Sequence, residues 1–232
     1  MSNSILVPQY GMGITQREMG LRRKWIDEPH HLDRYRLVMP VVPVFTRHFL
    51  NMIEAYNGNF ELRPSDNFEN SKLYGKRVRN LYDYFVIGNN GGSDTFLDAY
   101  FEPNEDGFMG LQVKSEHRFE CGTVVAKNVE LLEECLDQIC FADLDSLNEQ
   151  GFPTKMSEVQ KYERGKNIYF VPPESGKVVR FRSYPVNVLN CRSIGPDDKP
   201  TNMDYRLGVL GCSEIPGFAQ RWANSRSRKV YK

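Results

Sequence analysis

No stretch of this 232-residue chain is long and apolar enough to cross a bilayer. Its longest uncharged apolar run, Leu37–Phe45, is interrupted by Pro40 and Pro43. The opening residues 1–4 lack a basic region, and Gly11 and Gly13 break any apolar stretch after them, so no signal peptide is read there. Cysteine is present but unpatterned. Five residues, Cys121, Cys135, Cys140, Cys191 and Cys212, make an odd number with no Cys-x-x-Cys and no zinc-ligand spacing to a histidine. They read as thiols of an intracellular protein rather than a disulfide framework, and the expected location is cytoplasmic, with a virion as an alternative. No internal repeat, P-loop, Gly-x-Gly-x-x-Gly or Gly-x-Ser-x-Gly occurs. No catalytic residue, metal set or cofactor is therefore predicted, and no membrane partner.

Net charge is also absent, since 30 basic residues balance 30 acidic ones. The balance is a cancellation between segments. Residues 1–97 carry +2, residues 98–151 carry −10 from 13 acids against 3 bases, and residues 152–232 carry +8. What is present is aromatic: 14 Phe and 12 Tyr imply a packed core rather than a disordered chain.

Periodicity predicts an α+β fold, an antiparallel sheet with flanking helices, in three parts. Residues 1–38 read as an irregular N-terminal arm, with a short helix over Gln16–Asp27 that packs Trp25 on its own domain or reaches a neighbouring subunit. Residues 39–150 read as the α+β domain. Pro43 opens a helix there, with Phe45, Phe49, Met52, Ile53 and Tyr56 at helical spacing, His48 and Asn51 on its polar side, and Asn57-Gly58 as its stop. Strands are predicted over Tyr82–Ile87, Thr95–Phe101, Phe108–Val113 and Arg118–Ala126, and a helix capped by Asn128 with a Leu132, Cys135, Leu136, Ile139 stripe. Residues 151–232 read as an extension of modest regularity, with strands at Tyr169–Val171 and Val178–Phe181.

Some of these residues resemble a known family. Met39-Pro40 leading to Tyr56-Asn57-Gly58, then Phe85–Asp94 through Asp98, then Val124–Leu136, is similar to the SMI1/KNR4, or SUKH, superfamily over residues 39–142. The resemblance implies an α+β protein-binding domain without catalysis, in a family of bacterial immunity proteins, eukaryotic regulators and viral relatives.

Three groups of residues are candidates for function. Glu102, Glu105, Asp106, Glu130, Glu133, Glu134 and Asp137 form a prospective acidic surface for a basic partner, another protein or a second copy. Arg221, Trp222, Arg226, Arg228 and Lys229 form a basic tail suited to that acidic surface, or to phosphates and bases of a nucleic acid. Asn89, Asn90, Gly91, Gly92 and Asp94 read first as a turn, and second as a ligand loop in which backbone N–H groups meet an anion or Asp94 with Asp98 holds a cation. The leading reading is a non-enzymatic protein-interaction module. The alternatives are a viral or phage structural protein assembling through its arms, and a nucleic-acid binder acting through its tail.

Overall fold

The computed structural model describes residues 4–19, 23–89, 92–104, 110–193, 195–198 and 207–218. The chain begins with an antiparallel pair, β1 (Ser4–Val7) and β2 (Met12–Thr15). The helix expected over Gln16–Asp27 is not formed. Residues 16–18 are irregular, Met19 bridges to Val209, and only Trp25–Asp27 winds, as a 3₁₀ turn leading into α1 (Glu28–Asp33). Residues 20–22 lie outside the described residues.

Helix α2 (Val42–Tyr56) follows, with proline in its first turn and Gly58 at φ 82° just past its end, as predicted. His48 and Asn51, expected on its polar side, are instead fully buried. The reason is that α2 is covered on several sides, by β1, α3 and the sheet, so it has little solvated face. Asn51 meets this by pairing its amide with that of Gln9.

Helix α3 (Lys76–Tyr82) runs directly into a π-helical turn, Asp83–Ile87, where a strand was expected. Val78, Leu81, Tyr82, Phe85 and Val86 recur at i, i+3, i+4, i+7 and i+8, a helical stripe that continues through the aromatic run, and Leu81, Tyr82, Phe85 and Val86 are buried. Gly88, at φ 77°, ends it.

The remaining strands are β3 (Asp94–Pro103), β4 (Leu111–Ser115), β5 (Arg118–Glu120), β6 (Thr123–Val125), β7 (Asn128–Leu131), β8 (Cys140–Asp143), β9 (Asn167–Val171), β10 (Val178–Arg182), β11 (Val188–Asn190), β12 (Gly208–Val209) and β13 (Cys212–Glu214). The sheet order is β7-β4-β3-β10-β11-β9-β8, with β12 beside β3, and β13 joins β2 to extend the N-terminal pair. Most pairings are antiparallel; β9 with β11 and β12 with β3 are parallel. The fold is α+β. Arg118–Ala126, expected as one strand, is a separate hairpin turning at Cys121-Gly122. Residues 105–109, including part of the strand expected at Phe108–Val113, lie outside the described residues.

The helix expected from Asn128 is replaced by strand β7 and an irregular run. At helical spacing, Glu130 would face Glu133 and Glu134, and Asp137 would face both of these, so like charges oppose that helix. Strand β4 supplies the alternative, an open edge whose backbone groups β7 satisfies. Leu132, Cys135 and Leu136 still pack against the main core.

Strand β3 divides two cores by its period-2 alternation. Leu97, Ala99 and Phe101 enter the main core with Phe45, Phe49 and Phe181, whereas Phe96 enters a second core with Trp25, Leu32, Met39, Val178 and Val209. Trp25 is 1% exposed, and its indole N–H donates to the Leu97 carbonyl at 3.0 Å. Trp25 and Leu32 thus cover the second face of the sheet, whereas Ile5, Val7 and Ile14 of β1 and β2 join the main core. Residues from 151 onward, expected as an extension of modest regularity, supply β10 next to β3, so both segments share one sheet. Val178, Val179, Arg180 and Phe181 are all buried, the pattern of a strand covered on both faces.

Candidate functional site

A cavity of about 610 Å³ opens where the sheet approaches its β7 edge. One cross-strand row shows how it arises. Phe101 pairs with Val113, and Val113 with Glu130, so successive positions on one sheet face run from fully buried, to 6% exposed, to the rim. Val42 and Val44 from the start of α2, with Ala99, Val113 and Phe152, make an apolar floor. The rim carries Glu116, Glu130, Glu133, Glu149 and Glu214, opposed among the described residues by a single cation, Arg118. Among the described residues none of these five carboxylates has an ion-pair partner.

The rim is held in place by its own polar groups. The Gln150 carboxamide accepts the Glu133 N–H at 3.0 Å and donates to the Leu131 carbonyl at 2.8 Å and to Glu130 at 3.3 Å. Glu133 in turn accepts the Glu149 N–H at 2.9 Å. Gly151 lets this loop press on α2: at its φ of 84°, an added Cβ would lie 2.8 Å from the Pro43 Cα.

Behind the cavity lies a buried pair. Asp98, fully buried, accepts the His117 backbone N–H at 2.8 Å and is hydrogen-bonded to His117 Nδ1 at 2.5 Å. Trp25 sits edge-on to the imidazole at 4.7 Å. No described cysteine or serine side chain bonds to this histidine. The pair ties β3 to the residue that precedes β5.

The predicted acidic surface divides. Glu130 and Glu133 reach the cavity rim. Glu102 is ion-paired with Lys114, and Glu134 and Asp137 are exposed elsewhere. Glu105 and Asp106 lie outside the described residues, as do Arg221, Trp222, Arg226, Arg228 and Lys229 of the tail.

Asn90 and Gly91 of the Gly-rich turn also lie outside the described residues, but its flanks are described. On the described flank, the Gly92, Ser93 and Asp94 N–H groups donate to Asn89, Ser183 and Glu18. Half-buried Glu18 accepts from Ser93 Oγ at 2.5 Å, from the Asp94 N–H at 3.2 Å and from the Tyr84 hydroxyl, so the donors of Ser93 and Asp94 meet the protein's own carboxylate. Burial raises the Glu18 pKa, and these hydrogen bonds oppose the rise. Gly92, at φ 65°, lies so close to Ser183 that a Cβ would fall 2.3 Å from its Oγ. Asp94 forms a bidentate pair with Arg180 at 2.7 and 2.6 Å. Asp98 is four residues along the same strand, roughly 13 Å away, so the two aspartates share no cation.

His30 and His31 diverge, one stacked on Phe119 and the other edge-on to Tyr35. Among the described residues no group of three or more His, Cys, Asp and Glu is arranged to hold a metal ion. All five cysteines are free. Burial pushes the Cys135 thiol up to about 11, with Asp137 adding to the rise, and Cys212 up to about 12. Only Cys121 is exposed. A thiol-reactive dye added to the native protein should therefore label Cys121 rapidly and the other four only on unfolding. Fast labelling of two or more thiols would contradict this arrangement.

Sequence reasoning missed Glu116, Glu149 and Glu214 as partners of Glu130 and Glu133, because they come from three separate segments. No protein-family model matches the chain, and no curated protein and no solved structure matches it. The site's chemistry therefore rests on its geometry. No helix among the described residues is long and apolar enough to cross a membrane.

Proposed function

We propose that this chain is a non-enzymatic protein-binding module whose acidic cavity holds a basic segment of a partner. The observation that carries this reading is the rim of five carboxylates without ion-pair partners around an apolar floor. Exposed ion pairs contribute only about 0–1 kcal/mol each. Several together, with an apolar side chain or Lys/Arg stem on the floor, give a useful affinity that falls with salt. An acidic cleft also raises the encounter rate with a cationic partner. A second copy is one source of such a segment, since Arg221–Lys232 carries five positive charges and no acid.

A fluorescent peptide of sequence Arg221–Lys232, added in trans, is a suitable probe. Wild-type protein should bind it at low salt, and Glu130→Lys with Glu149→Lys should weaken binding at least tenfold. Both positions are exposed, so the fold should survive. Equal binding by the wild type and the double variant would refute the cavity as the docking site. Light scattering at low and high salt shows whether the partner is a second copy: dimers that dissociate with salt identify it.

A further inference from the structure

A second surface has the opposite chemistry and shares no lining residue with the acidic cavity. It is a groove of about 790 Å³ between the end of α2, the segment before α3, and α3 itself. Residues 72–79 bring four cations and no acid: Lys72, Lys76, Arg77 and Arg79. Lys76, Arg77 and Arg79 are exposed and have no ion-pair partner among the described residues. Among the described residues Glu61 is the one carboxylate lining the groove, and it is already paired with Lys72 at 2.9 Å and Arg63 at 3.0 Å.

Aromatic faces lie among these charges. Tyr56 is 42% exposed and stacks on the buried Tyr82, with ring centroids 3.9 Å apart and planes 10° from parallel. Its inner face is thus covered and its outer face presented. Tyr74 is 63% exposed and carries the Lys72 ammonium 4.7 Å from its ring centroid. An acidic peptide would use the cations but leave two large rings wet. A phosphate chain carrying flat bases uses both, because aromatic faces accept any base while cations follow the backbone.

We infer that this groove binds single-stranded nucleic acid, with Tyr56 and Tyr74 as stacking platforms, Lys76 and Arg79 as phosphate contacts in the groove, and Arg77, exposed beside it, as a further one. Recognition is tolerant of sequence, since no base-edge reader is needed for stacking.

The test uses full-length protein and a labelled 20-nucleotide oligothymidine, followed by fluorescence anisotropy across a salt series. Tyr74→Ala, at an exposed position, should weaken binding roughly 5- to 100-fold, the range of one base–aromatic stack. Neutralising Lys76, Arg77 and Arg79 to Gln should lower the slope of log affinity against log salt by about 2, near 0.7 for each single-strand phosphate that is no longer neutralised. Replacing Arg226, Arg228 and Lys229 by Gln should leave the Tyr74 effect in place. The inference is overturned if Tyr74→Ala binds like wild type, if only the tail substitutions abolish binding, or if poly-glutamate or polyphosphate competes as well as unlabelled oligothymidine. Failure here leaves the acidic cavity untouched, because the peptide assay reads a different surface.

Discussion

Replacing Glu28 by Gln should make the protein more stable at neutral pH and leave it unchanged near pH 4.5. Glu28 is fully buried at the start of α1, and both carboxyl oxygens lack a hydrogen-bond partner. Burial pushes its carboxyl up to about 8; Arg23 opposes the rise and Asp27 adds to it. A folded pKa above the unfolded one means that the native state holds a proton which the unfolded chain releases. The associated stability is fully present below the unfolded value near 4.5, and is lost as pH rises toward about 8. At 1.36 kcal/mol per pH unit, the loss at pH 7 is about 3 kcal/mol. Glutamine matches the neutral carboxyl in shape and does not ionise when unfolded. Glu28→Gln should therefore raise the melting temperature by roughly 6–12 °C at pH 7 for a chain of this size. A constant difference between pH 4.5 and 8 would exclude the mechanism.

His48 acts with the opposite sign. Its ring nitrogens are buried without partners beside Phe85, and burial pushes its pKa down to about 3. Its contribution is present above the unfolded value near 6.5 and is lost as pH falls toward about 3. From pH 4.5 to 6.5 the Glu28 and His48 slopes oppose each other. Glu28→Gln removes the falling one, so stability of the variant should rise more steeply with pH across that range than that of the wild type.

The second large effect is expected at Asp98. Asp98→Ala should cost about 3–5 kcal/mol in denaturant unfolding, because two His117 donors are left buried without an acceptor. Asp98→Asn keeps an acceptor for the His117 backbone N–H and should cost less than half as much. Because Trp25 rests on His117, tryptophan fluorescence should report a looser site in the alanine variant. An alanine variant within about 1 kcal/mol of wild type would show that the pair contributes little.

Local signals were legible where a segment's own pattern decides its structure. Helix α2 has a proline start, an Asn-Gly stop and apolar residues four apart; β3, β9 and β10 have aromatic and β-branched runs between turns. For residues 128–139 the apolar spacing suits a helix, whereas the open edge of β4, invisible in a one-dimensional pattern, takes Asn128–Leu131 as strand and the rest runs irregularly. Tyr82–Ile87 was misread because its aromatic content resembles a strand once separated from Val78 and Leu81. Only part of the acidic cavity was legible. Glu130 and Glu133 stood out in an acid-rich segment, but Glu214 reaches them only because β13 pairs with β2. The basic groove was present in the sequence, yet counting charge over residues 1–97 averages Lys72–Arg79 into a total of +2.

The strand order also has a consequence during synthesis. Strand β10, the neighbour of β3, begins some 75 residues after β3 ends, and β13 closes onto β2 from almost the far end of the chain. At about 5–20 residues per second, a ribosome leaves β3 without that neighbour for roughly 4–15 s. During that interval Phe96, Leu97 and Phe101 lie on an unpaired edge, available to other nascent chains. Yield in cells should thus depend on how quickly the stretch from β3 to β10 is translated.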